Sequence, residues 1–235
     1  MSEHISKAFE AELTQLGGLI DSIGSLALRQ IEAVLDAAEG KDHAGLALVI
    51  AREPEADRLE HVIDRLVIRI MALRQPMAID LRQVLSSFKV AIELERVCDH
   101  AKDMAERFEA AAGIGAAQLG AMVALGRRGA AMLRDAISAY RKGDAALAKD
   151  VRQRDRALDE AYTALFRDVL ASMNEDVRRV SAGTQLLFMA RDIERIGDLA
   201  TDVAEMACYL VLGEPVEDDR PKADRTKSIG LPAAG

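Results

Sequence analysis

Glu194-Arg195-Ile196-Gly197-Asp198, followed by Asp202 and Glu205, decides the fold because the chain says it twice. Glu95-Arg96-Val97-Cys98-Asp99, followed by Asp103 and Glu106, repeats it position for position 99 residues earlier. Residues four apart in an α-helix lie about 40° apart around the axis, so each stretch builds a ladder of carboxylates along one face. At ~1.5 Å rise per residue the rungs are about 6 Å apart. Like charges at that spacing cost a helix roughly 0.2–0.5 kcal/mol per pair. A chain that builds this unfavourable ladder twice is a candidate for holding cations.

Outward from the ladders, the apolar residues fall into helical stripes. Val90, Leu94, Val97, Ala101, Met104 and Phe108 line one face of the earlier stretch, and Ile193, Ile196, Ala200, Val203, Ala207 and Leu210 line the later one. At about 100° per residue the acids of both ladders lie nearly opposite these stripes and face away from the core. In a preceding helix Leu59, Ile63, Leu66, Ile70 and Leu73 point inward, while Glu53, Asp57, Glu60 and Asp64 point outward. Glu53 and Asp57 have counterparts in Asp155 and Asp159, 102 residues on.

Turn and cap residues divide the chain into six long helices: about Glu3–Glu39, Asp42–Arg74, Ala78–Ala112, Ala116–Arg141, a fifth capped by Asp144 and ending near Met173, and a sixth capped by Asn174 and ending at Gly213. Gly17, Gly18 and Gly24 weaken the first, and Pro54 marks an irregularity in the second. Gly40-Lys41-Asp42 is echoed by Lys142-Gly143-Asp144. Nothing reads as a strand. The predicted fold is all-α: two tandem pseudo-symmetric three-helix bundles, residues 1–112 and 116–213, made by internal duplication. Residues 214–235, rich in Pro and charge without apolar periodicity, are expected to be a disordered tail.

Composition agrees. Of 235 residues, 50% are hydrophobic but only 3% aromatic, so the core is aliphatic, as close-packed helices require. A net charge of −8 argues against a nucleic-acid partner and suits cations or a basic protein surface. Two cysteines, Cys98 and Cys208, are too few for a disulfide framework and point to a reducing compartment. The polar start has no apolar signal core, and no apolar run reaches the length of a membrane span.

A carboxylate row opposite a core is ordinarily a solvated face. Arg96 and Lys102 stand three residues either side of Asp99 and can pair with it, whereas no Lys or Arg stands three or four positions from Asp202. If the ladders hold metal, their donors are oxygen, which suits Mg²⁺, Mn²⁺, Ca²⁺ or iron rather than tetrahedral zinc. His100 reads as a surface or packing residue, and Cys98, standing where the other half has Gly197, as a small buried filler. A di-iron enzyme would use Glu-x-x-His pairs aimed into the bundle. None of His4, His43, His61 and His100 has Glu three positions before it. With no phosphate loop or hydrolase constellation either, the chain does not read as an enzyme.

The doubled Glu-Arg-(Ile/Val)-x-Asp-x-x-x-Asp, together with Gln75-Pro76-Met77-Ala78-Ile79-Asp80-Leu81-Arg82, resembles the PhoU family over about residues 5–213. The resemblance implies a cytoplasmic negative regulator of phosphate uptake and phosphate-starvation signalling. Such proteins connect the ATPase subunit of the phosphate ABC transporter to a sensor histidine kinase. They meet the membrane only through those partners and act as homodimers. It also implies metal ions (iron, Mg²⁺ or Mn²⁺) on Glu95, Asp99 and Asp103 and on Glu194, Asp198 and Asp202, joined by Glu53, Asp57, Asp155 and Asp159. These acids are expected to share one acidic face. The competing expectation is a helical scaffold that docks a partner through its acidic faces, with no metal role.

Overall fold

The computed structural model describes residues 2–40, 43–111, 113–214, 216 and 223–226. Lys41 and Asp42, part of the first helix-ending signal, and most of the tail lie outside the described residues. The chain runs α1 (Ser2–Ala38), α2 (Ala44–Ala51), α3 (Glu53–Arg74), α4 (Ala78–Phe108), α5 (Ala116–Lys142), α6 (Ala145–Glu175) and α7 (Val180–Leu212), with one-turn 3₁₀ segments after α4 and before α7. No strand forms among the described residues.

The expected second helix is two. It breaks at Arg52 (φ −99°, ψ 0°), and Pro54, which has no N–H to donate, sits in the first turn of α3. Gln75 ends α3 in the left-handed region at φ 48°. Gly143 closes α5 at φ 63°, and the Asp144 carboxylate accepts N–H bonds from Ala146 and Leu147 at the start of α6. Asn174, expected to cap the last helix, lies inside α6. The turn comes at Asp176, whose side chain accepts the Arg178 N–H, and α7 starts at Val180.

Two three-helix bundles result, α1–α3–α4 with the short α2 alongside, and α5–α6–α7. They share one continuous aliphatic core, because α4 packs along α7 and α1 along α5. The α1–α5 contact is close. A Cβ at Gly126 would stand 2.3 Å from a Leu35 methyl carbon, and one at Gly24 would stand 3.1 Å from Ile137 Cδ1. Both cysteines are free and buried. Among the described residues no helix is long and apolar enough to cross a membrane.

Candidate metal centre

The predicted acids couple by charge in two groups, one per bundle. In the first, α3 presents Glu53, Asp57 and Glu60 to Glu95 and Asp99 on α4. Partial burial pushes the Glu95 carboxyl up to about 7, helped by the charges of Asp99, Asp57 and Glu60. Asp99 is also raised, by burial and then by Glu53 and Asp57. Asp57 and Asp99 are exposed, so this group opens to solvent. The basic neighbours pair elsewhere than expected: Arg96 with Glu93 at 2.8 Å, and Lys102 with Glu53 at 3.0 Å.

In the second group, α6 presents Asp155 and Asp159 to Glu194 and Asp198 on α7. The sequence predicts that this ladder faces away from the core, but Glu194 is only 4% exposed, Asp155 1% and Asp159 2%. The reason is that α7 packs against α4, α5 and α6 together, so the face opposite its apolar stripe is roofed by α6. Gly197 permits this. A Cβ there would stand 2.1 Å from Leu158 Cδ2 on α6. The first bundle has Cys98 at the matching position, fully buried as predicted of a filler.

Burial, and next the charge of Asp198, push the Glu194 carboxyl up to about 7, against the pull of Arg191, whose Nη1 lies 3.4 Å from Glu194 Oε1. Glu194 Oε2 is buried with no hydrogen-bond partner among the described residues. Asp159 is raised by burial, an effect offset by N–H bonds from Ala223 and Asp224. Residues 223–226 therefore depart from the expectation of a disordered tail. Down the ladder the rungs separate. Glu205 pairs with Arg152 at 3.2 Å, and Asp202 is half-buried on α7.

Asp103 joins a set that sequence reasoning missed. His100 Nδ1 lies 3.1 Å from Asp192 Oδ1, bridging α4 to α7, and one ligating atom from each of His100, Asp103 and Asp192 fits within 4.8 Å of the others. Among the described residues this is the one group compact enough to hold an ion as it stands. Arg107 flanks it, 4.0 Å from Asp192 Oδ2. No repeat signals the pairing, since His100 and Asp192 are 92 residues apart and break the 99-residue register.

Convergent carboxylates with raised proton affinity, one of them with a buried oxygen lacking a donor, fit a hard cation. Fold and sites together define a duplicated, all-helical protein with one carboxylate group per bundle. The PhoU domain matches residues 20–108 and again 123–207, and the chain belongs to the PhoU family. It is 37% identical to a phosphate-specific transport system accessory protein PhoU homolog of Xylella fastidiosa, over 98% of this chain and 96% of that one. It is also 37% identical to the Rhizobium meliloti homolog, over 97% of each. The PhoU crystal structure from Pseudomonas aeruginosa superposes with a TM-score of 0.82 at 32% identity, over 88% of this chain and 100% of that one. The phosphate transport system regulatory protein PhoU from Streptococcus pneumoniae gives 0.81 at 27%, over 89% and 99%.

Proposed function

We propose that this protein is a phosphate-transport accessory regulator. It restrains uptake and starvation signalling when phosphate is plentiful by coupling the transporter's ATPase subunit to a sensor histidine kinase. The observation that carries this reading is the near-full-length likeness to proteins named phosphate-specific transport system accessory proteins. In this reading the chain works in the cytoplasm as a homodimer of duplicated bundles, residues 1–112 and 116–213, and does no catalysis of its own. Ile68, Leu73, Met77 and Ile79, exposed about the α3–α4 turn, offer apolar surface for such contacts. Deleting the gene should raise expression of phosphate-scavenging genes in rich phosphate, and an unchanged reporter would contradict the proposal.

The acid groups hold divalent cations in this proposal. Glu53, Asp57, Glu95 and Asp99 form one site, and Asp155, Asp159, Glu194 and Asp198 the other, with Asp103 and Asp202 one turn further along. A cation there stabilises the carboxylate forms that burial, and next the neighbouring acids, disfavour by raising Glu95 and Glu194 to about 7. The donors suit Mg²⁺, Mn²⁺ or iron, and the His100–Asp103–Asp192 set, which adds a nitrogen, suits the latter two better. The reading without metal draws on one observation: Lys102 and Arg191 already stand against Glu53 and Glu194. Metal analysis of the purified protein separates the two.

A further inference from the structure

Residues 223–226 lie on the second acid group, and their contacts are specific. Asp159 Oδ2 accepts two successive main-chain N–H groups, from Ala223 at 2.8 Å and Asp224 at 3.2 Å. One turn along α6, Thr163 Oγ1 accepts the Arg225 N–H at 3.2 Å. The Asp224 carboxylate reaches Arg191 Nη1 at 3.1 Å and is held by the N–H and hydroxyl of its neighbour Thr226 at 2.8 and 2.7 Å. Arg191 thus lies between Glu194 of the acid group and Asp224 of the tail, over the Tyr162 ring. The matching acids of the first bundle, Glu53 and Asp57, meet Lys102 and solvent instead.

We propose that residues 223–226 are a latch: the α6–α7 acid group binds an Ala-Asp-Arg-Thr segment of its own chain in competition with divalent cations. The competition rests on the metal reading above; the latch itself does not. An oxygen that accepts two N–H groups turns its lone pairs to them, and a hard cation needs the same lone pairs at about 2.0–2.6 Å. The two occupants of Asp159 therefore exclude each other at that oxygen, and by linkage each weakens the other equally. A latch closed about 90% of the time lowers apparent cation affinity about tenfold. The bundles then respond unequally, because only the second carries the latch among the described residues.

The test compares three chains: wild type, a chain ending at Val216, and Asp224→Ala, which keeps the experiment decisive if the truncated chain does not fold. In chelator, the Ala223 and Asp224 amides of wild type should exchange with deuterium slowly, and Mn²⁺ should speed them. Titration calorimetry should show Mn²⁺ binding the second group about tenfold more tightly in the truncated chain, with Asp224→Ala between, and the first group unchanged. Unprotected amides in chelator would overturn the latch. Protected amides with equal Mn²⁺ affinity in all three chains would overturn the competition. Absence of Mn²⁺ binding from every chain would overturn the metal reading, and the competition with it, while protected amides still upheld the latch.

Discussion

Glu194→Gln isolates the cost of building the second acid group. The folded protein holds this carboxyl at about 7 rather than 4.5. At 1.36 kcal/mol per tenfold change in proton affinity, the gap corresponds to roughly 3 kcal/mol. Solvent reaching the group from the side of half-buried Asp198 screens the charge, and about 1–2 kcal/mol is the working figure. The sign follows from linkage. The unfolded chain gives up this proton near pH 4.5 and the folded one near 7, so stability is full below 4.5 and is lost as pH rises through about 7. The amide cannot ionise and escapes that loss. In chelator at pH 8, Glu194→Gln should therefore melt above wild type by about 2–8 °C, at roughly 2–4 °C per kcal/mol for a chain of this size. At pH 4.5, where the wild-type side chain is a neutral near-isostere of glutamine, the two melts should coincide. Circular dichroism melts in EDTA from pH 4.5 to 8.5 read both. A variant no more stable than wild type at pH 8, or a difference that does not grow with pH, would refute the account of Glu194 as a carboxylate held against its own charge.

Asp99→Asn with Asp198→Asn should melt at or above wild type in chelator and lose most of the stabilisation that Mn²⁺ gives, about 2.7 kcal/mol at a hundredfold excess over Kd. Sodium at matched ionic strength serves as the control, and an equal response of variant and wild type would point to a solvated face. Gly197→Cys copies the first bundle's residue into the second. It should cost about 1–3 kcal/mol in urea unfolding, because its Cβ meets Leu158, and it should leave Glu194 more exposed. Asp144→Ala removes the two N–H acceptor contacts at the start of α6 and should cost about 0.5–2 kcal/mol without changing Mn²⁺ affinity.

The helices and their duplication were legible because each left a local mark. Gly143 at φ 63°, Gly213 at φ 83° and the Asp144 cap stand where the turn residues put them. Pro54 broke its helix cleanly because an N–H is dispensable only in a first turn. Asn174 misled because Asp176, two residues later, offers the same capping chemistry and wins. The apolar stripes hold except at Leu73, expected to point inward but 64% exposed in the last turn of α3, where the helix runs past the core. The error about the second ladder came from the step after them. Periodicity says which residues share a face, not how many helices press on the other faces. The one local sign that α6 would roof α7 was Gly197, and reading it needed the neighbour as well as the glycine. His100 with Asp192, and Asp159 with Ala223 and Asp224, were illegible for another reason. They join residues 92 and 64–65 positions apart without repeating the pattern that made the ladders visible.

Gly197 against Cys98 also explains why two copies of one motif do not make two equal sites. Where glycine stands, α6 closes down and its acids are buried beside Glu194. Where cysteine stands, the matching Asp57 and Asp99 stay in contact with water. A buried carboxylate group must be neutralised to be tolerated, and protons, Arg191 or a cation can each do so. The first group, with Asp57 and Asp99 exposed, can exchange counterions with water, although its Glu95 is raised to about 7 as Glu194 is. If the acid groups hold cations as proposed, the second is the more enclosed and the first the more open, so cation affinity should differ between them. If removing Asp99 alone and Asp198 alone weakened Mn²⁺ binding equally, at the same stoichiometry and over the same pH range, the packing difference would have no functional weight and this division would be wrong.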